Sequence, residues 1–286
     1  MSFRPSLRWT WFAIGLLALV PSFPQSKPGA PAAGSTVSPE DLFYSIEWRL
    51  INAGTAHLKL DPVGGTDGKP DWRSQLRLES GGVVSKLYKV EDNYAAQLHD
   101  GFCTTSTDLN AMEGRKHRST KVDYDYTRGK ANYVERDLIK NAVSKTAEVD
   151  ISPCSSDIIG TLYKLRTINL DAGQSTQLPM SDGKKSASVR IEAQVREQVQ
   201  TKAGAFKTIR YEAFVFNNVI YQRKGRLFVW LTDDARKLPV QIQARMSFPI
   251  GSITVQLDKE EHGVSATEHR AVSGGHSSNS ETTHAE

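Results

Sequence analysis

Two cysteines in 286 residues, Cys103 and Cys154, are too few for a multi-bridge disulfide scaffold or a Cys-rich zinc module. The chain has no Cys-x-x-Cys, no His-Glu-x-x-His, no Gly-x-Ser-x-Gly and no phosphate loop. The local signatures of redox, zinc-protease, serine-hydrolase and nucleotide chemistry are therefore missing. The one marked apolar run, Trp9 to Val20, falls short of the ~20 residues that a spanning helix needs. Charge of one sign is nowhere massed. The net charge is +4, with +2 in residues 1–40 and −4 in residues 258–286, which leaves +6 for 41–257, where acids and bases are interspersed. A nucleic-acid binder would concentrate Lys and Arg on one element, so no nucleic-acid partner is expected.

What the chain does have is alternation. In residues 226–257, Phe228 and Trp230 fall on one strand face, Val229 and Leu231 on the other. Val240, Ile242, Ala244 and Met246 then alternate with Gln241, Gln243 and Arg245, and Ile253, Val255 and Leu257 with Thr254 and Gln256. This period of two is that of half-buried strands. Thr232–Ala235 and Pro249–Gly251 supply the turns between them. The pattern recurs through Tyr44, Ile46, Trp48 and Leu50, with Asn52-Ala53-Gly54 read as the following turn, and through Ala187, Val189, Ile191, Ala193 and Val195. Between residues 83 and 90, helix and strand fit equally well. Ten to twelve strands are expected, hairpin-linked into one curved antiparallel sheet, an open half-barrel. One short helix should pack against it: Ser156 to Arg166, where Ile158, Ile159, Leu162 and Leu165 recur at helical spacing behind a Ser-Ser-Asp cap.

The chain divides into a signal peptide at 1–24, a Pro/Ser/Gly/Ala linker at 25–41, a β domain at 42–257 and a disordered acidic tail at 258–286. Arg4 and Arg8 ahead of the apolar run mark it as secretory, an uncleaved anchor being the alternative, and no cysteine follows to carry a lipid. The chain is thus expected in the periplasm or outer cell envelope. An oxidising compartment favours a Cys103–Cys154 bridge over two free thiols.

Weighed for chemistry, these residues offer little. Asp233 and Asp234 are adjacent carboxylates, but neighbours on a strand end point apart, and a turn cap plus a partner in Arg236 or Lys237 accounts for them. Asp157 and Arg166 suit the two ends of the helix dipole, with Arg166 a second candidate as an anion-binding cation at a cavity mouth. His262, His269, His276 and His284 recur every seven or eight residues, wider than metal-ligand spacing. No catalytic residue, metal or cofactor is expected, although distant groups of an unrecognised hydrolase would leave no local motif.

Three segments carry a resemblance: FYSIEWRLINAGTAHLKL at 43–60, SSDIIGTLYKLRTINLDAGQ at 155–174, and Trp230–Asp234 with Arg236, Leu238-Pro239-Val240 and Gly251-Ser252-Ile253. In these the chain resembles the exported bacterial family DUF3108, a domain of unknown function, over residues 42–257. The resemblance implies an envelope protein whose fold is similar to the half-barrels of lipoprotein carriers. It brings no activity and no catalytic residues. A half-barrel needs cover for its apolar face, which makes a lipid or acyl chain the first expected ligand, lined by Tyr44, Ile46, Trp48, Val189, Ile191, Val240 and Ile242 with Arg166 at the rim. Another envelope protein is the alternative partner.

Overall fold

The computed structural model describes residues 37–65 and 70–261; the expected signal peptide, most of the linker and the His-bearing tail from His262 lie outside them. From the N-terminus run β1 (Glu40–Trp48), β2 (Ile51–Pro62), β3 (Trp72–Ser80), α1 (Gly82–Leu87), β4 (Val90–His99), β5 (Cys103–Glu113), β6 (Lys116–Asp125), β7 (Lys130–Asp137) and β8 (Ala142–Asp150). After α2 (Ile158–Arg166) come β9 (Ser175–Ser181), β10 (Ser186–Thr201), β11 (Gly204–Ala213), β12 (Gly225–Thr232), β13 (Pro239–Met246) and β14 (Ser252–Glu261).

All fourteen strands form one antiparallel sheet, in the order β8 to β1, then β14 down to β9. The chain spreads outward from β1, crosses through α2 to the far edge, and works back until β14 pairs with β1. The sheet stays open, with β8 and β9 as its edges. It curls far enough for distant strands to touch: the Tyr124 hydroxyl on β6 donates to the Ser181 carbonyl at the end of β9, 2.8 Å away. Bulges at Phe43/Tyr44, Ile46/Glu47, Ala193/Val195 and Trp230/Leu231 add the local twist that such curling requires. The edge of β9 is partly covered by Ser156, whose N–H donates to Pro179 and whose carbonyl accepts from Ser181.

The helix is the centrepiece of the core. Seven of the nine residues of α2 are buried, so it is covered on nearly all sides rather than on one stripe. Its cap is Asp157, which accepts from the N–H groups of Ile159 and Gly160. Around it pack Leu42, Leu58, Leu60, Met180, Val189, Ile191, Leu231, Val240 and Leu257, all at most 5% exposed. Sheet, core and the Cys103–Cys154 disulfide (Cα–Cα 4.6 Å) all close within residues 37–261, a self-contained folding unit.

Several expectations shift. Residues 83–90 resolve into α1 and the start of β4. Strand β8 was not anticipated, because seven of its nine residues are exposed and no apolar face marks it. The first hairpin turns at Arg49 and Leu50, both at positive φ, while Asn52–Gly54 lies inside β2. Gly54 serves the bulge there: a Cβ on it would sit 1.9 Å from the Glu79 carbonyl oxygen. The domain runs from Glu40 to Glu261 rather than 42 to 257, since β14 continues to pair with β1 through Asp41.

Candidate functional site

The inner face of β4–β7 is not filled by α2. Cross-strand register aligns Tyr94 with Leu109, Leu109 with Thr120, and Thr107 with Val122 and Tyr133 across successive strands. Together with Tyr124, Asp157, Ile158, Lys184 and Tyr221, these side chains surround a cavity of ≈ 270 Å³. It lies between the main core and a smaller cluster of Val122, Tyr124, Ala131, Tyr133 and Ile151. The β9–β10 turn closes it from above. Gly183 in that turn, at φ +80°, comes so close to β6 that a Cβ would meet the Val122 methyls at 2.7 Å.

The chamber is aromatic and held by hydrogen bonds. The Tyr94 hydroxyl donates to Asp157 Oδ2 (2.7 Å) and Thr104 Oγ1 to Asp157 Oδ1 (2.6 Å). With its two cap bonds, Asp157 has four donors, all from the fold itself. Tyr133 donates to Glu135 (2.7 Å), a bond that lowers the Glu135 carboxyl below its ordinary range. Lys184 Nζ lies 4.8 Å from the centre of the Tyr133 ring. Burial pushes the Tyr94, Tyr124 and Tyr221 hydroxyls well up, and Tyr133 to about 12, so all four are neutral donors at physiological pH.

A second cavity of ≈ 520 Å³ adjoins the first, sharing Asp182, Lys184 and Tyr221 with it. Its other walls are Lys145 on β8, Lys185, and the 216–223 loop with Phe216, Ile220 and Arg223. It therefore occupies the seam where the open sheet fails to close. Four cations face one carboxylate there, and the Asp182 Oδ1 already accepts from the N–H groups of Lys184 and Lys185.

The residues expected from sequence to line a ligand site lie elsewhere. Tyr44, Val189, Ile191 and Val240 are completely enclosed by the chain's own core, and Ile46, Trp48 and Ile242 are half-buried beside it. Tyr44 donates to the Pro239 carbonyl (2.9 Å) and the Trp48 indole to Ile250 (2.6 Å). The helix fills the space that was expected to be a groove. Arg166 is no rim cation either: it is 2% exposed and forms a two-bond ion pair with Glu40 at 2.5 and 2.8 Å.

Trp230 is buried, yet on the outer face. Register pairs it with Arg210 and Gln241, whereas its neighbour Val229 pairs with Tyr211 and Ile242 on the core side. Its indole donates to Glu197 (2.7 Å), and Arg210, Arg226 and Arg245 crowd the ring of Phe228 beside it. Asp234 Oδ1 accepts from Thr232 Oγ1 and the N–H groups of Arg236 and Lys237, a turn cap. Asp233 pairs with Arg196 (2.9 Å) and Arg236 with Glu260 (2.9 Å), not with each other. Among the described residues no cluster of His, Cys, Asp and Glu is set up to hold a metal ion.

One buried carboxylate stands out. Asp92, opposite Leu78 and Ala111, has an Oδ1 without a hydrogen-bond partner. Burial, then the charge of Glu113, raises its pKa. A raised folded-state value means that the fold binds the proton more tightly, so Asp92 supports stability at low pH and loses that support as pH rises through the folded value. Asp92→Asn should therefore gain up to about 1 kcal/mol at neutral pH. The gain should vanish as pH falls into the ordinary carboxylate range, and melting curves across pH would show it.

The fold and its internal chamber define an open antiparallel half-barrel. The chain belongs to the DUF3108 family, described as "Protein of unknown function (DUF3108)", whose model matches residues 44–258. Its fold is similar to that in the crystal structure of a β-barrel-like protein of the domain of unknown function DUF1849 from Brucella abortus. The two share 8% identity and a TM-score of 0.51 over 78% of this chain and 97% of that one. A protein of YmcC-like fold from Bacteroides fragilis NCTC 9343, proposed to be exported, aligns with a TM-score of 0.36 at 8% identity, over 78% of this chain and 95% of that one. No curated protein matches the chain in sequence.

Proposed function

We propose that the protein is an exported, non-catalytic binding module of the cell envelope, and that its ligand is an amphiphile with a short apolar part. The observation that carries this reading is the aromatic chamber joined to a cation-lined seam. The chamber accepts the apolar part, at about 0.8 kcal/mol for each buried CH₂, and the seam keeps a polar head near solvent. Neutral tyrosines and a fully bonded Asp157 suit recognition better than proton transfer. The disulfide fits an oxidising compartment and so supports export. The alternative, an assembly partner of another envelope protein, draws support from the outer edge of β8, which has no strand beside it among the described residues.

The test is to strip the protein of lipid and titrate it with a fluorescent fatty acid, with Leu109→Trp as the variant that fills the chamber. Saturable binding that Leu109→Trp weakens at least about tenfold is expected. Binding that survives the substitution, or no saturable binding, would move the reading to the assembly partner.

A further inference from the structure

The two rims of the sheet differ in character. Seven connections lie on one rim: the β9–β10 turn (182–185), with Asp182, and the β11–β12 loop (214–224) at the seam, and five others, the β1–β2 turn (49–50), the α1 connection (81–89), the β5–β6 turn (114–115), the β7–β8 turn (138–141) and the β13–β14 turn (247–251). These five are contiguous through backbone hydrogen bonds. Arg49 N–H donates to Ser252 (3.0 Å), Gly81 to Ala53 (2.8 Å), Gly114 to Lys89 (2.7 Å) and Leu138 to His117 (2.9 Å).

This rim exposes large apolar side chains at its tips. Leu50 is 91% exposed and Phe248 89%, with Leu87 and Val83 on α1 and Leu138 and Ile139 on the β7–β8 turn also exposed. Leu50 and Arg49 sit in the left-handed region at φ 69° and 50°, where non-glycine residues are uncommon. The backbone thus holds an apolar tip outward that collapse would otherwise draw in. The same five connections carry five cations, Arg49, Lys86, Lys89, Arg115 and Lys140, and no carboxylate. Of these, Lys89 also pairs with Glu91.

The opposite rim is built differently. Its hairpin connections (63–71, 100–102, 126–129, 202–203 and 233–238) balance four carboxylates against four cations among their described residues, and Val63 is the one exposed large aliphatic there. Charge repulsion or turn chemistry would affect both rims alike, so the asymmetry calls for a partner. We infer that the rim of Leu50, Leu87 and Phe248 docks onto an anionic lipid surface. Apolar tips ringed by Lys and Arg match an interface in which side chains enter the acyl boundary and cations meet lipid phosphates. A protein interface of ordinary kind would instead have charge depleted at its centre.

The experiment is flotation of the 37–261 chain with phosphatidylcholine vesicles, with and without a large share of phosphatidylglycerol, at low and high salt. The expected result is flotation with phosphatidylglycerol vesicles that high salt weakens. The double variants Leu50→Asp/Phe248→Asp and Lys86→Glu/Lys140→Glu should each reduce it at least about tenfold. Val63→Asp on the opposite rim should leave it unchanged. The four rim side chains are solvent-facing, so circular dichroism and melting should match the parent. No flotation with anionic vesicles, or flotation that the rim variants retain, would overturn the inference. So would a self-association that the variants abolish while vesicles go unbound, which would make the rim an interface between copies.

Discussion

Arg166→Ala should destabilise the fold by about 3–5 kcal/mol, the range for breaking a buried ion pair from one side. The guanidinium holds three parts of the chain that are far apart in sequence. It forms two bonds to Glu40 at the start of β1, donates through Nε and Nη2 to the Arg236 carbonyl in the β12–β13 turn, and stacks over Tyr163 at 5.2 Å. Removing it leaves the Glu40 carboxylate 5% exposed with no cation beside it and the Arg236 carbonyl short of two donors. Exposed pairs such as Lys121–Asp123 have water to take over, and their loss costs about 0–1 kcal/mol. Urea unfolding of Arg166→Ala and the double variant Arg166→Leu/Glu40→Leu separates the terms. The double variant should recover most of the loss, because no lone charge stays behind. If Arg166→Ala unfolds within 1 kcal/mol of the parent, about the value of a surface pair, the pair does not hold the helix.

Replacing both cysteines by serine should cost about 4 kcal/mol on the loop-entropy estimate for a sequence separation of 51. The bridge ties the first residue of β5 to the segment that leads from β8 into α2. That segment carries Ser156, which covers the edge of β9, and Asp157, which caps the helix. Loosening it should reach the chamber as well as the core, because Asp157 anchors Tyr94 and Thr104. Thermal melts with and without reductant check this. The parent should lose stability on reduction while the serine variant stays indifferent to it, and a parent indifferent to reductant would show that no bridge forms.

Much of this architecture was legible in the residues, and its failures share one cause. Strands β1, β10, β13 and β14 face core on one side and solvent or a lightly covered surface on the other, so their alternation reads directly. The α2 cap is legible because Asp157 does a local job. Strand β8 leaves no such mark, having no core to face. The β1–β2 turn was misplaced because Arg49 and Leu50 adopt positive φ where Gly or Asn is the usual signal, while the real glycine, Gly54, answers to a neighbour 25 residues away. The expected lining went astray for a related reason. Alternation says which side chains share a face, but which face is inner depends on where α2 lies. The chamber tyrosines come from three strands and a loop, and only curvature brings them together.

The pairing of β14 with β1 places the two ends of the described chain in the middle of the sheet and its mid-sequence at the edges. In assembly this reverses the usual order. Local hairpins such as β6–β7 can form early, yet the contact that joins the two halves spans more than two hundred residues and waits for Ser252–Glu261 to arrive. A chain that stops short of that strand loses its keystone rather than an edge, and is left with two separate ribbons, each exposing a fresh inner edge to its neighbours. The chain can therefore stay uncommitted until its last strand is in place, and only then do the two halves lock together.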